Sequence, residues 1–422
     1  MSDINKKIKH LSYLHQTGNY DALKTAAIEV LDQIPDHIDA LNALAISYKW
    51  LGNTEKAKEI FIKLVNSGLK SDYVYSNAGN FFYDIGNVNN ALECHQQAIK
   101  LNPKNVNSLN QLGLISTNMG KDEDAISYYK KVLEIQPNEE IVHHNIGNAY
   151  RNLEQYQYAS DHYELSDKPL SKCQQLECLY KLNDEKGFFE KLDIFSKTKG
   201  PHPLAAALSA HASVRYDKKD NYDFCEDPFQ FIHKKNLFDR DDFNDNLIKN
   251  FFNLFNEAGI NKKQQSLLKN GYQSSGNLFR LRNDATNEIE KIIMEEIKSY
   301  KNKYSNTNAS MINKWPDNAN LYGWLIVMNK GGSLGGHMHK EGWLSGSLYL
   351  ERPKKQKKVD GDIIFSLHGS NLPTDGKAFK TETVNIEKGD IVMFPSSLFH
   401  ATHPFESDDK RITLAFDIIP DS

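Results

Sequence analysis

Three histidines and one arginine near the C-terminal end of the chain have the types and spacing of a metal centre beside an anion-binding site. His337 and His339 are separated by one residue, His400 follows about sixty residues later, and Arg411 stands eleven residues after His400. Two histidines and one carboxylate on one face of an ion, with open positions left over, are typical of non-haem Fe(II) oxygenases. A guanidinium group binds a carboxylate through paired hydrogen bonds. The pattern therefore predicts a non-haem iron site with an arginine that can hold a dicarboxylate.

Four short motifs follow one another between residues 337 and 416. They are His337-Met338-His339, Ser345-Gly346-Ser347-Leu348-Tyr349-Leu350, Phe394-Pro395-Ser396-Ser397-Leu398-Phe399-His400 and Arg411-Ile412-Thr413-Leu414-Ala415-Phe416. In this order and spacing they resemble the Fe(II)/2-oxoglutarate-dependent oxygenases, most closely a bacterial and phage subgroup related to the prolyl hydroxylases. Each motif alone is weak, whereas four in order are fairly specific. The resemblance covers roughly the last two hundred residues.

The resemblance implies a jelly roll, or double-stranded β-helix, that uses Fe(II), 2-oxoglutarate as co-substrate and O2. It implies that His337 and His400 ligate iron, that Arg411 holds the distal carboxylate of 2-oxoglutarate, and that no catalytic side chain is needed beyond the metal centre. Tyr349 matches a tyrosine that often binds the same carboxylate in prolyl-hydroxylase-like relatives, and a packed core tyrosine is the alternative. Strand alternation places Thr413 on the same face as Arg411, where it is predicted to add a hydroxyl group.

One position departs from the pattern of the family, because most members have Asp or Glu where this chain has His339. Three interpretations stay open at this point. His339 is a third ligand, Glu341 or another carboxylate completes the site, or the iron has two protein ligands. We predict a ligand set of His337, His339 and His400, with His403 as the competitor for the last position.

Several short runs after residue 318 have the composition of strands and predict the jelly roll. The predicted strands cover residues 321–328, 344–350, 362–366, 381–386, 391–394 and 411–418. Gly331-Gly332 and Gly335-Gly336 are predicted to form a turn that delivers His337. A basic run at residues 354–358 is interpreted as a solvated loop, with contact to an acidic substrate or nucleic acid as the alternative.

A repeat of thirty-four residues dominates the first half of the chain. Its units begin near Ile4, Ile38, Asp72, Val106 and Glu140. One glycine position recurs at Gly52, Gly86 and Gly120, where a left-handed residue would end the first helix of each unit. This spacing resembles the tetratricopeptide repeat, in which paired helices stack into a superhelix with a groove for peptide segments of partner proteins.

These observations predict an α+β multidomain protein with three parts. Residues 1–170 form an all-α tetratricopeptide-repeat solenoid, and residues 171–220 form a helical connector that includes one or two degenerate repeats capping the solenoid. Residues 221–422 form the jelly-roll oxygenase domain with flanking helices.

Composition narrows the functional classes further. The net charge of −4 argues against a general nucleic-acid binder. Four scattered cysteines without a CxxC pair indicate neither a zinc ribbon nor a disulfide framework. The polar N-terminal residues lack the apolar core of a signal peptide, and no run of eighteen apolar residues occurs, so we expect a cytoplasmic protein without a membrane span.

The sequence thus predicts a 2-oxoglutarate-dependent Fe(II) dioxygenase that hydroxylates a protein or peptide recruited by the repeats. The first alternative is a small-molecule oxygenase whose repeats bring a partner or form a homo-oligomer. The second is a repeat scaffold whose oxygenase fold has lost activity through the change at His339.

Overall fold

The computed structural model of the chain describes residues 3–68, 70–257, 262–263, 265–281, 283–369 and 371–421. The chain divides into two compact units, Met1–Ser171 and Lys172–Ser422. Among the described residues, no helix combines the length and the apolar character needed to cross a bilayer.

The first unit is a succession of antiparallel helix pairs. Its helices are α1 (Asp3–Gln16), α2 (Tyr20–Leu31), α3 (Ile38–Trp50), α4 (Thr54–Asn66), α5 (Asp72–Asp84), α6 (Val88–Leu101), α7 (Val106–Asn118), α8 (Asp122–Ile135), α9 (Glu140–Asn152) and α10 (Tyr156–Glu164). The helices α3, α5, α7 and α9 begin at the residues where the predicted repeat units begin. The predicted all-α repeat solenoid is therefore confirmed.

Glycines at two recurring positions determine the geometry of the repeats. Gly52, Gly86 and Gly120 follow the first helix of their units with φ of 78°, 77° and 70°, the left-handed conformation that glycine adopts without strain. Gly113 serves the second purpose, because a Cβ atom there would lie 2.5 Å from the ring of Tyr129 on the paired helix. Gly147 stands in the same relation to Tyr163 at 2.6 Å, so the glycines allow close approach of the two helices.

The second unit contains helices that pack on a curled antiparallel sheet. Its helices are α11 (Pro169–Lys181), which spans the boundary between the units, α12 (Glu185–Thr198), α13 (Pro203–Arg215), α14 (Asp245–Glu257), α15 (Asp284–Lys303) and α16 (Ser310–Asn313). Its strands are β1 (His233–Asn236), β2 (Lys262–Lys263), β3 (Leu268–Ser274), β4 (Ala319–His337), β5 (Leu344–Glu351), β6 (Ile363–Ser366), β7 (Thr381–Val384), β8 (Asp390–Pro395), β9 (Phe399–Thr402) and β10 (Arg411–Pro420).

The strands follow the order β1-β8-β5-β10-β4-β9-β6-β7, with β3 also paired to β4 and β2 to β3. Every pairing is antiparallel, and neighbouring strands are often distant in sequence, as the predicted jelly roll requires. One apolar cluster joins residues of α11, α12 and α13 to residues of the sheet, including Leu176, Leu208 and Leu348. The helices of residues 172–215 thus share a core with the strands.

The glycine-rich segment before His337 forms a strand instead of the predicted turn. Strand β4 continues through this segment to His337. The reason is tertiary, because Leu334 pairs with Leu268 of β3 and with Thr402 of β9. Gly331 accommodates an irregularity at φ 72° and donates its N–H to the Phe405 carbonyl at 2.7 Å. Two strand partners therefore override the local preference of glycine for turns.

Candidate metal centre

The central strand β10 lines the site with every second residue. Arg411, Thr413 and Ala415 face one cavity of about 300 Å³, and Asp417 continues the same face at its end. On the neighbouring strand β5, Ser345 lies directly opposite Asp417, and Ser347 lies opposite Ala415. The strand register therefore sets out a row of polar groups from an arginine at one end to an aspartate at the other.

The three predicted histidines meet in space at the side of this cavity. His337 is the last residue of β4 and is paired with His400 of β9, while His339 follows two residues later. Their ligand nitrogens all lie within 4.8 Å of one another, and the Nε2 atoms of His337 and His339 are 3.3 Å apart. Two nitrogens bound to one ion at about 2.1 Å and at right angles stand about 3 Å apart. The observed separation therefore suits two ligands of one metal ion.

Each histidine has a partner for its Nδ1 atom, which leaves Nε2 for the metal. His337 Nδ1 donates to the Gly335 carbonyl at 2.9 Å, and His400 Nδ1 donates to the Leu398 carbonyl at 3.3 Å. His339 Nδ1 lies 2.7 Å from a carboxylate oxygen of Asp417. Such outer partners fix the tautomer and the ring orientation of metal-binding histidines. The three rings are therefore prepared with their Nε2 atoms free.

Burial keeps at least two of the rings in the neutral form that binds metals. It lowers the pKa of His337 to about 4, with the neighbouring His339 adding to the effect. It lowers the pKa of His400 well below the usual value, and His337 and His339 add to it. A ligand histidine must be neutral, so no proton has to be displaced from these two at neutral pH.

The competing ligands lie elsewhere. Histidine, cysteine and acidic side chains can share a metal ion when three or more lie close together. Among the described residues, His337, His339 and His400 form such a group. Glu341 is exposed, on the wall of a neighbouring cavity. His403 Nε2 lies 3.4 Å from the Thr383 hydroxyl group and is not part of the group.

Arg411 is buried on the cavity wall with an incomplete set of partners. Its Nε donates to the Gly361 carbonyl and one Nη donates to the Thr413 hydroxyl group, each at 2.9 Å. Within the described part of the chain, no carboxylate forms an ion pair with Arg411, although its exposed fraction is 3%. A buried guanidinium without a directly paired anion is costly, and arginine stays charged even where burial lowers its pKa. The arrangement therefore fits a ligand that brings a carboxylate.

Tyr349 and Thr413 contribute differently from one another. Thr413 lines the cavity and holds the Arg411 guanidinium. The ring of Tyr349 lies 4.9 Å from that guanidinium and is fully buried, but Tyr349 is not among the residues that line the cavity. Ser347, two residues earlier on the same strand, does line the cavity.

Two parts of the site carried no functional prediction. Trp324 lines both the histidine cavity and a neighbouring cavity of about 500 Å³, with its ring 5.4 Å from that of His339. Asp417 holds His339, and the alternation that placed Thr413 beside Arg411 also reaches residue 417. The spacing of β10 was thus a usable signal for Asp417, whereas no local feature marked Trp324.

The basic run at residues 354–358 is anchored at its second residue. The ammonium group of Lys355 lies 2.6 Å from Asp362, a carboxylate with an exposed side-chain fraction of 2%. The backbone N–H groups of Gln356 and Lys357 donate to Asp360. The run therefore forms an ordered loop in which one of the four lysines is structural.

Two curated proteins are similar to part of this chain. A TPR repeat-containing protein of Methanocaldococcus jannaschii is 28% identical over 132 residues, which is 29% of this chain and 22% of that protein. The type IV pilus assembly protein PilF of Pseudomonas aeruginosa is 28% identical over 159 residues, 37% of this chain and 62% of that protein. This chain therefore spans less than two thirds of the length of either curated relative.

Solved structures show a likeness of the same kind. The structure of Pseudomonas aeruginosa PilF covers 47% of this chain and 93% of its own, at 21% identity and a TM-score of 0.41. YrrB, described as a TPR protein with an unusual peptide-binding site, covers 43% of this chain and 90% of its own, at 19% identity and a TM-score of 0.34. At these values the likeness carries no conclusion about function.

Family models match both halves of the chain. Residues 39–67, 79–120 and 106–139 match tetratricopeptide-repeat models. Residues 322–417, which include the three histidines and Arg411, match the family described as "Putative 2OG-Fe(II) oxygenase". The chain therefore joins residues that match tetratricopeptide-repeat models to residues that match the model of this oxygenase family.

Proposed function

We propose that the second unit is an Fe(II)- and 2-oxoglutarate-dependent oxygenase that hydroxylates a C–H bond. The observation that carries the proposal is one cavity lined by three convergent histidines and by a buried arginine that has no ion-paired carboxylate among the described residues. These are the two binding functions that the reaction needs, one for the metal and one for the co-substrate. The overall change would convert substrate, 2-oxoglutarate and O2 into hydroxylated substrate, succinate and carbon dioxide.

The side chains of the cavity would divide the work. His337, His339 and His400 would hold the iron, which when bound supplies the dioxygen chemistry of this enzyme class. Arg411 would bind the distal carboxylate of 2-oxoglutarate, and Thr413 keeps its guanidinium in place through their hydrogen bond. The remaining wall includes apolar side chains that would exclude water from the reacting groups, namely Ile326, Leu334, Ile363 and Phe394.

The direct test is turnover of the purified full-length chain with Fe(II), 2-oxoglutarate and O2. We expect succinate to form in proportion to the 2-oxoglutarate consumed, and at a lower rate for Arg411→Ala at the same co-substrate concentration. Arg352→Ala is the matched control, because Arg352 is paired with Glu387 at 2.6 Å and does not line the cavity. Failure of the wild-type protein to bind both iron and 2-oxoglutarate would rule the proposal out.

For the substrate, we propose a protein or peptide that the repeats recruit. A cavity of about 470 Å³ lies among helices α1, α3 and α5, and its lining includes Asn42, Tyr73 and Asn77. Asn77 donates to Asn42 at 3.2 Å, so neutral amide groups connect neighbouring repeats along this face. Amide and phenol groups suit hydrogen bonds to a peptide main chain. Tethering the target to the chain that carries the oxygenase would raise its effective concentration.

This part of the proposal has its own test in the full-length protein. Asn77→Arg places a long charged side chain in the cavity, so we expect weaker capture of substrate protein with unchanged 2-oxoglutarate binding. Gln97→Arg is the matched control, since Gln97 is an exposed amide on α6 outside the cavity. Equal capture by both variants would favour a small-molecule substrate.

A further inference from the structure

We infer that Asp417 is a positioning residue that supplies the metal centre with its protein carboxylate from one step outside the ligand shell. The inference rests on the proposed function, because it concerns the same histidines. Where most oxygenases of the resembling family bind iron through a carboxylate directly, this chain places a histidine at that position. Asp417 would then hold that histidine and provide the missing negative charge behind it.

The contacts of the Asp417 carboxylate point to His339. Its Oδ1 atom lies 2.7 Å from His339 Nδ1 and accepts a hydrogen bond from the Ser345 hydroxyl group, also at 2.7 Å. The side chain of Asp417 has an exposed fraction of 8%. With Nδ1 engaged in this way, the Nε2 atom of His339 faces His337 Nε2 at 3.3 Å. The carboxylate therefore orients the ring toward the candidate metal position.

A second layer of hydrogen bonds fixes the carboxylate itself. Because the Ser345 hydroxyl group donates to Asp417, the Ser396 hydroxyl group, 2.7 Å away, must donate to Ser345. Ser345 lies opposite Asp417 in the β5–β10 register. At Gly342, a Cβ atom would lie 2.8 Å from Ser396 Oγ and 3.0 Å from Asp417 Cγ, so the chain passes directly over this network. The sheet register therefore fixes the position of the Asp417 carboxylate, and Gly342 lets the chain pass close to it.

The charge of Asp417 distinguishes this arrangement from an ordinary buried polar contact. Among the described residues, Asp417 has no lysine or arginine partner, and its ion-pair partner is His339 alone. A buried carboxylate without a cation is costly. A metal ion bound through His339 would compensate that charge across the imidazole ring. Three neutral histidines with Asp417 also carry the same total charge as two histidines with one carboxylate ligand.

The test compares metal binding of folded variants, measured anaerobically as the dissociation constant for Fe(II) by competition with a chromophoric chelator. Asp417→Asn keeps the shape but removes the charge, and we expect a 10- to 100-fold weaker constant, the usual effect of losing an outer partner. The matched control is Asp360→Asn. Asp360 is a buried carboxylate that also accepts two hydrogen bonds, and both come from Gln356 and Lys357 rather than from a histidine. We expect that control to leave the constant unchanged.

A double-mutant cycle separates this role from simple structural support. In the His339→Asp background, a carboxylate would already stand at the metal, and Asp417 would repel it. Removing the Asp417 charge should then leave iron binding unchanged or make it tighter, the opposite of its effect in the wild-type background. Equal weakening in both backgrounds, or no weakening in either, would overturn the inference. If wild-type protein binds no iron at all, the proposed function itself fails, so the two failures are distinguishable.

Discussion

His337 and His400 lie directly opposite each other on the adjacent antiparallel strands β4 and β9, with ring centroids 4.4 Å apart. The two residues are 63 positions apart in the sequence, and the sheet register alone brings them together. Because strands are rigid and both rings have a backbone carbonyl partner, the pair is held in place before any metal arrives. The first predictions concern this pair.

Removing either ring should abolish iron binding and turnover without unfolding the protein. His337→Ala and His400→Ala each delete one nitrogen of the candidate ligand set. We expect no iron retained after gel filtration and no 2-oxoglutarate-dependent O2 uptake. His403→Ala is the matched control, because His403 lies in the same part of the chain but outside the ligand group. Turnover by either ligand variant at the wild-type rate would contradict the assignment.

The third histidine can be tested against its carboxylate competitor. His339→Ala should weaken iron binding clearly more than Glu341→Ala, because His339 Nε2 lies 3.3 Å from His337 Nε2 whereas Glu341 is exposed. His339→Asp should keep part of the activity, since it restores the commoner ligand type. The measurement is the Fe(II) dissociation constant of each variant. Equal constants for His339→Ala and wild-type protein would indicate two protein ligands or another third ligand.

The co-substrate role of Arg411 predicts a selective loss. Arg411→Lys keeps the positive charge but loses the planar fork that binds both oxygens of a carboxylate. We expect the apparent constant for 2-oxoglutarate to rise by roughly tenfold or more, the size of one lost charge-assisted hydrogen bond, with iron affinity little changed. Arg352→Lys, outside the cavity, should leave both constants unchanged. An unchanged apparent constant for 2-oxoglutarate in Arg411→Lys would contradict the assignment of Arg411 as its binding residue.

Local sequence patterns were sufficient to predict the elements whose residues repeat or alternate regularly. β10 could be predicted because Arg411 heads a mostly apolar, β-branched run, and the repeat helices because their small residues recur at one spacing. The edge strand β1, with the sequence His-Lys-Lys-Asn, carries no such signal. It becomes a strand by pairing with β8. Likewise, the contact between His339 and Asp417 joins residues 78 positions apart and depends on how β4 and β10 lie together. Only the folded chain shows such partners.

The close contact inside each repeat predicts a steric effect on stability. Gly113→Ala would force a methyl group to within 2.5 Å of the buried Tyr129 ring, so the two helices must separate. We expect a loss of about 1–3 kcal/mol in the free energy of unfolding, typical of overpacking. Gly86→Asn is the control, because its left-handed backbone tolerates asparagine and no atom lies within 4 Å of the added carbon. Thermal unfolding followed by circular dichroism measures both, and equal stability of Gly113→Ala and wild type would contradict the packing argument.

The repeat also predicts a stabilising substitution at His95. Tyr129 and Tyr163 stand at the equivalent positions of the next two units, 34 and 68 residues later. In the last of them, the Tyr163 hydroxyl group donates to Asn148 at 2.8 Å. The residue equivalent to Asn148 is Asn80, whose Oδ1 atom is buried without a partner, and His95 Nε2 lacks one too. Tyrosine at position 95 would satisfy Asn80 and remove the unpaired ring nitrogen, although it gives up the 3.1 Å contact of His95 with Ser108.

The gain from His95→Tyr should depend on pH in a direction that the burial of His95 sets. Burial lowers the pKa of His95 to about 4 from the ordinary value of 6.5, so between these values the unfolded chain binds a proton that the folded chain does not. The wild-type protein therefore loses stability as pH falls below 6.5, by about 2 kcal/mol at pH 5 from this residue alone.

His95→Tyr should be more stable than wild type by about 1 kcal/mol at pH 7.5 and by a clearly larger margin at pH 5. His95→Phe, which cannot bond to Asn80, should share the pH dependence but gain less at pH 7.5. Denaturant unfolding at the two pH values measures these differences, and a His95→Tyr advantage that shrinks on acidification would refute the assignment of a neutral, desolvated imidazole at this position.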